Sequence, residues 1–245
     1  MRAVLALARL CRVMVCIASG WATLKWRFPH MDPAQRGQAI QDWACRMLKA
    51  FGIALEVRGA ERLRNGPALR VANHVSWLDI LTLHALQHCR FVAKAEVHHW
   101  PLIGTMAWAA GTLFIERQSA RDAMRVVHQM AQALKEGDVL AVFPEGTTSD
   151  GASLLPFHAN LLQAAVVTQT PVQPLFLRYT DFASGQRATS VCYIDDQTLV
   201  GSVWRTLSAP AVRVTVQVGE CQMAAGRERR QWAHDLREAM LGLAE

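Results

Sequence analysis

What the sequence does not contain excludes several chemistries at once. Its six cysteines, at 11, 16, 45, 89, 192 and 221, form no Cys-x-x-Cys pair and no zinc-type spacing. A zinc ribbon and a disulfide-stapled scaffold are therefore excluded, and the thiols read as buried and reduced. There is no G-x-S-x-G elbow for a lipase-type nucleophile and no G-x-G-x-x-G for a dinucleotide. Gly146 and Gly151 have Walker spacing, but Ala152 follows where Lys is required. Fifteen Gly and nine Pro in 245 residues exclude collagen-like and Pro-rich architectures. His84 and His88 are four apart on an expected helix, but without a nearby carboxylate or an H-E-x-x-H frame they read as structural.

Acidic residues are scarce at one end. Residues 1–50 hold eight Lys/Arg and two Asp, whereas the remainder holds 18 of each sign, so the whole net charge of +6 sits in the N-terminal segment. That segment also carries Trp21, Trp26, Phe28 and Trp43. Basic residues interleaved with Trp and apolar runs suit an anionic membrane surface. Nucleic acid is not the expected partner, because a DNA-binding face spreads its cations over a polar helix. Arg9 and Arg12 interrupt residues 3–24, leaving 12 uninterrupted apolar residues, Val13 to Leu24. A spanning helix needs roughly 20. The expectation is a helix lying in the membrane interface with its Arg side chains snorkelling. A true span, a cleaved signal peptide and an ordinary amphipathic core helix are the other readings. A second helix has Asp32 as N-cap, Pro33 at its first position and Gly52 at its end. Ile40, Trp43, Ala44, Met47, Leu48 and Phe51 form one apolar stripe along it, which faces either a membrane or the main body.

From residue 53 onward, short apolar strands alternate with helical stretches. Strands are expected at Leu55–Arg58, Leu69–Ala72, Arg90–Ala93, Leu113–Glu116, Val139–Phe143, Val172–Arg178, Thr189–Tyr193 and Val212–Val218. Helices are expected at Trp77–Gln87, Pro101–Ala110, Ala120–Lys135, Ala159–Val167, Gln197–Leu207 and Arg227–Leu243. This alternation predicts an α/β fold: a single-domain α/β sandwich with a mostly parallel mixed sheet flanked by helices. The organisation read from the chain is 1–52 as membrane-associating helices, forming an interfacial hairpin, and 53–245 as the α/β domain.

Three polar clusters follow expected strands, where ligands collect in such sheets. In Asn73-His74-Val75-Ser76-Trp77-Leu78-Asp79, a carboxylate five residues after a His could orient and support the imidazole for proton transfer. Ser76 and Asp79 also fit a capping box, so Asp79 could merely cap a helix. In Phe143-Pro144-Glu145-Gly146-Thr147-Thr148-Ser149-Asp150-Gly151, backbone amides could cradle an oxyanion, or the segment is a plain turn with a solvated Glu145. In Gly111–Arg117, Arg117 at a strand end suits phosphate or carboxylate, or a surface ion pair.

In this order, His74-x4-Asp79, Gly111–Arg117, Phe143–Ser149 and Val172-Gln173-Pro174-Leu175 resemble the four motif blocks of the glycerolipid acyltransferases. The type is that of the bacterial 1-acyl-glycerol-3-phosphate (lysophosphatidate) acyltransferases. Lys94 to Pro101 and Gly104 also match a stretch between the first two blocks, and the resemblance runs from about Leu55 to Tyr179. It implies His74 as general base and Asp79 as its support. It implies acyl-CoA or acyl-carrier protein as donor and a lysolipid acceptor whose hydroxyl attacks the thioester directly, with no acyl-enzyme. It also implies a substrate site drawn from Asn73, Lys94, Arg117, Glu145, Gly146, Thr147, Thr148 and Pro174, with no metal and no cofactor. The place implied is the cytoplasmic face of the cell membrane, anchored through the N-terminal helices.

The pattern is broken in two places. Thr148 stands where the third block usually carries Arg, and a common Pro-Phe-Lys run appears here as Pro156-Phe157-His158. The acceptor pocket is therefore less basic than usual, which admits a lyso-ornithine lipid as the alternative, while Arg117 and Lys94 remain and keep lysophosphatidate first. A non-catalytic membrane-bound lipid-binding module is the alternative of another class.

Overall fold

The structure, a computed structural model, describes residues 2–115, 120–194 and 196–244. The helices are α1 (Arg2–Ala22), α2 (Pro33–Phe51), α3 (Leu78–Leu86), α4 (Ile103–Ala109), α5 (Ala120–Lys135), α6 (Gln163–Thr168), α7 (Leu199–Ser208) and α8 (Arg229–Leu243). The strands are β1 (Ile53–Arg58), β2 (Ala68–Ala72), β3 (Arg90–Lys94), β4 (Leu113–Ile115), β5 (Val139–Val142), β6 (Val172–Asp181) and β7 (Val212–Val218). They form one seven-stranded sheet in the order β1-β7-β6-β2-β5-β3-β4. Neighbouring strands are parallel except β6 and β7, so the expected mixed, mostly parallel sheet is what the chain adopts.

Strand alternation splits the core in two. Leu69 and Val71 of β2, Leu140 and Val142 of β5, and Val172 and Phe176 of β6 face a cluster with α5 and α8. Ala72, Ala141, Leu175, Leu177 and Tyr179 face the opposite cluster, with α2 and α3. The four alternate valines of β7, from Val212 to Val218, join this second cluster, so the strand is one-sided but interior rather than an edge.

One expected strand is absent. Thr189–Val191 is a single 3-10 turn. Arg205 donates from Nε to the Ser190 carbonyl (3.0 Å) and from Nη2 to that of Cys192, taking acceptors a strand ladder would need. Of the six free cysteines only Cys89 and Cys192 are buried; Cys11 is exposed and the others are half-buried. His84 and His88 stack with their Nδ1 atoms 3.4 Å apart. Burial holds their pKa values down, to about 3 and about 4, so both are neutral.

The N-terminal helices pack against this body. The α2 start is a full capping box, with Gln35 N donating to Asp32 Oδ1 (2.8 Å) and Asp32 N to Gln35 Oε1 (3.1 Å). Its stripe buries Ala44, Met47, Leu48 and Phe51 in the cluster shared with α3 and β7, so packing runs across residue 52. Trp43 Nε1 donates to the Cys16 carbonyl (2.9 Å), tying α2 to α1. Arg9 does not snorkel. It is 5% exposed and donates from Nη1 to the carbonyls of Leu207 (3.1 Å) and Ala209 (2.6 Å), capping the end of α7. Gly52 ends α2 at φ +80°, and a Cβ there would strike the Arg9 guanidinium. The opposite face of α1 is inverted for a water-facing helix, with Val4, Leu5, Leu7, Met14, Val15 and Trp21 exposed. The helical run Arg2–His30, 29 residues, is by length and composition able to cross a membrane, and no other among the described residues is.

The two arginines of α1 should therefore behave differently. Arg9→Met should cost about 3 kcal/mol in urea unfolding, from two lost charge-assisted bonds. Arg12→Met, at an exposed position, should stay within about 0.5 kcal/mol. Equal midpoints for the two variants would contradict the buried cap.

Candidate active site

The site is built where β2 and β5 end, on the carboxyl edge of the sheet. Asn73 prolongs β2 with its side chain: Nδ2 donates to the Leu177 carbonyl (3.0 Å) and Oδ1 accepts from Leu177 N (2.7 Å). This amide pair mimics one more rung of the β2–β6 ladder and is 2% exposed at Asn73. The next residue, His74, is thereby projected beyond the sheet.

The imidazole is held on two sides. Its Nδ1 lies 2.8 Å from Asp79 Oδ2, and its face stacks on Phe143 with centroids 3.9 Å apart and planes 8° from parallel. Asp79 is fully buried, and among the described residues no Lys or Arg pairs with it. Its charge is balanced by donors instead: Val75 N (2.7 Å) and Ser76 N (2.9 Å) on Oδ2, and the Tyr179 hydroxyl (2.7 Å) on Oδ1. With three other donors on this carboxylate, His74 Nδ1 is the fourth, and the remaining lone pair is on Nε2. The His74 side chain is 19% exposed, so that edge of the ring reaches the surface. The capping alternative and the His–Asp pairing are both present, because one oxygen serves the loop amides and the imidazole together. The Ser76 hydroxyl, the other half of the capping box, is buried and unpartnered.

Glu145 lies behind this pair and not in solvent. It is 4% exposed, with Oε1 accepting from His74 N (2.7 Å) and Oε2 from Leu155 N (2.9 Å). Burial raises its pKa, against the two amides that lower it. Ser149 N donates to the His74 carbonyl (2.8 Å), closing the β5 loop on the β2 loop. Gly146 has φ +73°, and a Cβ there would lie 2.8 Å from His158 Cδ2, so the imidazole of His158 rests directly on the loop backbone. Gly146 and Thr147 are exposed. Thr148 is half-buried and its hydroxyl donates to the Tyr193 carbonyl, while Tyr193 N donates to the Val75 carbonyl (3.0 Å).

The residues expected at the substrate thus fall into three groups. Lys94, exposed at the end of β3, and Gly146 and Thr147 share the open carboxyl edge with His74. Asn73, Glu145 and Thr148 have their polar groups engaged within the protein. Pro174 is inside the sheet, paired with Val71 three residues before His74. Its missing N–H faces the end of β7, where the Gly219 carbonyl accepts from Gln173 Nε2 (3.3 Å) instead. Arg117 and Glu116 lie outside the described residues. Tyr179 escaped the sequence analysis; its signal was its place two residues beyond Leu177 on the inward face of β6.

The class of the protein follows from its similarity to known proteins, which places this imidazole–carboxylate pair in an acyltransferase. The chain belongs to the Acyltransferase family, whose sequence model matches residues 54–178. It is 35% identical over 96% of its length to the lyso-ornithine lipid O-acyltransferase of Pseudomonas aeruginosa, covering 91% of that protein. It is 37% identical over 86% of its length to the 1-acyl-sn-glycerol-3-phosphate acyltransferase of Neisseria meningitidis, covering 81% of that protein. The crystal structure of the 1-acyl-sn-glycerophosphate (LPA) acyltransferase PlsC from Thermotoga maritima has the same fold. It covers 100% of this chain and 97% of its own at a TM-score of 0.71 and 20% identity.

The Glu145 bracket gives a direct test. Glu145→Gln keeps the shape but turns one acceptor into a donor facing an amide, so unfolding free energy in urea should fall by about 1–3 kcal/mol. The turnover number should fall with it because His74 loses its backbone anchor. An unchanged unfolding curve would put Glu145 outside the bracket.

Proposed function

We propose that this acyltransferase moves a fatty acyl group from acyl-CoA or acyl-carrier protein to the free hydroxyl of 1-acyl-glycerol-3-phosphate, giving phosphatidic acid. The observation that carries the mechanism is the 2.8 Å contact between His74 Nδ1 and the buried Asp79. His74 Nε2 takes the proton as the acceptor oxygen attacks the thioester carbonyl. Collapse of the tetrahedral intermediate breaks the carbon–sulfur bond, and the imidazolium returns the proton to the departing thiolate. No acyl-enzyme forms. Asp79 fixes the tautomer and stabilises the imidazolium. Lys94, Arg117, Gly146 and Thr147 hold the head group at the open rim. Asn73, Glu145 and Thr148 act on the substrate through the loops they fix, and Pro174 through the shape of β6.

The setting is the cytoplasmic face of the cell membrane. Residues 1–52 form the membrane-associating segment and 53–245 the acyltransferase domain, with anionic lipids drawn to the basic N-terminus. The exposed apolar face of α1 supports this placement.

A second acceptor, a lyso-ornithine lipid, is favoured by two residues. Thr148, engaged with Tyr193, and the imidazole of His158 stand where the family pattern is basic. Initial rates of thioester release decide between the acceptors. Phosphatidic acid synthesis is the main reaction if kcat/KM for lysophosphatidate exceeds that for lyso-ornithine lipid; a tenfold preference the other way, about 1.4 kcal/mol, reverses the ranking. In the same assay His74→Ala should abolish transfer, and Asp79→Asn should lower kcat by roughly 10²–10⁴-fold. Full activity in Asp79→Asn with lowered thermal stability would leave Asp79 a loop cap only.

A further inference from the structure

The catalytic pair rests on a side chain delivered by β6 from the core between the sheet and α3. Strand β6 places Leu175, Leu177 and Tyr179 on the face that packs against α3. Tyr179 is 3% exposed, and its hydroxyl donates to Asp79 Oδ1 at 2.7 Å, with Thr82 Oγ1 of α3 3.2 Å from the same phenol oxygen. Asp79 Oδ2 already serves His74 and two backbone amides. Tyr179 is therefore the side chain that holds the other oxygen, and it touches neither the open rim nor the imidazole.

We propose that Tyr179 is a positioning residue of the acyl transfer. Its hydroxyl locks the rotation of Asp79 and draws charge out of the buried carboxylate, and so sets the basicity of His74. The proposal rests on the reading of His74 as general base. Burial and the adjacent carboxylate push the Tyr179 phenol well up, so it remains a donor throughout the working range. Among the described residues, the other titratable groups facing the pair are Glu145 in the β5 loop and Cys192 beyond β6, whose thiol is also pushed up by burial.

The sign follows from the chemistry. Without the phenol donor, the negative charge on Asp79 is less dispersed and the neighbouring imidazolium is favoured. The pKa of His74 rises, and less of the neutral base exists at a given pH.

The test is the pH dependence of kcat/KM for the full-length protein, with 1-acyl-glycerol-3-phosphate and acyl-CoA. Tyr179→Phe should move the acid limb to higher pH by about half a unit or more, with KM for the acceptor changed less than about twofold. Profiles in the Glu145→Gln background identify any part of the limb belonging to that carboxyl. The chain has only one other tyrosine, Tyr193. Difluorotyrosine incorporated in a Tyr193→Phe background therefore reports on position 179 alone, and as a better donor of the same shape it should move the limb to lower pH. This second measurement decides the matter if Tyr179→Phe does not fold. An acid limb that stays in place, or moves opposite to either expectation, overturns the proposal, even if thermal stability falls. His74→Ala separates the two ideas. Activity retained there removes the general-base reading itself, whereas an inactive His74→Ala beside an unmoved limb removes only the role of Tyr179.

Discussion

The arrangement depends on one buried negative charge. Asp79 is fully buried, and an uncompensated carboxylate in such a place would cost several kcal/mol or take up a proton. Four hydrogen-bond donors remove the difficulty. Two are amides of the loop after β2, one is the imidazole, and one is a phenol delivered by β6. Three of the donors hold the loop after β2 against α3, and the fourth holds β6 against it. The polar network thus specifies the shape of the rim as well as its chemistry, and its satisfaction makes the imidazole a rigid group.

A second ring of bonds joins the loops to one another. Glu145 takes the backbone amide of His74 and that of Leu155, while Ser149 returns a bond to the His74 carbonyl. Asn73 links the same loop to β6. The His74 ring lies flat against Phe143, so one strand supplies the imidazole and the next supplies the wall it rests on. These contacts engage Nδ1 and one face of the ring and leave the side chain 19% exposed. At the other end of the molecule, α1 turns apolar side chains outward and seals itself to the body through Arg9. A helix that presents apolar residues to solvent and a charged one to the interior is built for an environment that is not water.

Much of this was legible in the residues. Short apolar runs identified five of the seven strands within two residues at each end, together with the starts of β4 and β6, because burial on both faces leaves a continuous apolar run; β6 continues three residues past the expected Arg178, to Asp181. Asp32, Pro33 and Gly52 marked α2 through capping chemistry that acts locally. The failures share a cause, which is tertiary competition for backbone groups. Thr189–Tyr193 has strand composition, yet Arg205 removes its carbonyls. Arg9 looked like a membrane-facing charge, and only the distant end of α7 explains its burial. Glu145 was expected at the substrate or as a solvated turn residue, because nothing local reveals that two amides, at positions 74 and 155, converge on it. Tyr179 carried no motif, since its meaning lies 100 residues away, at Asp79.

The central claim is that His74 meets the acceptor with an unprotonated Nε2 because Asp79 holds the proton on Nδ1. Nitrogen-15 NMR of the imidazole, in detergent-solubilised protein at mildly alkaline pH, reads this directly. The account predicts a pyrrole-type shift with a bonded proton at Nδ1 and a pyridine-type shift at Nε2, with the pattern scrambled in Asp79→Asn. A proton resident on Nε2 in the wild-type protein would contradict it, since that nitrogen could then accept nothing from a lysolipid hydroxyl.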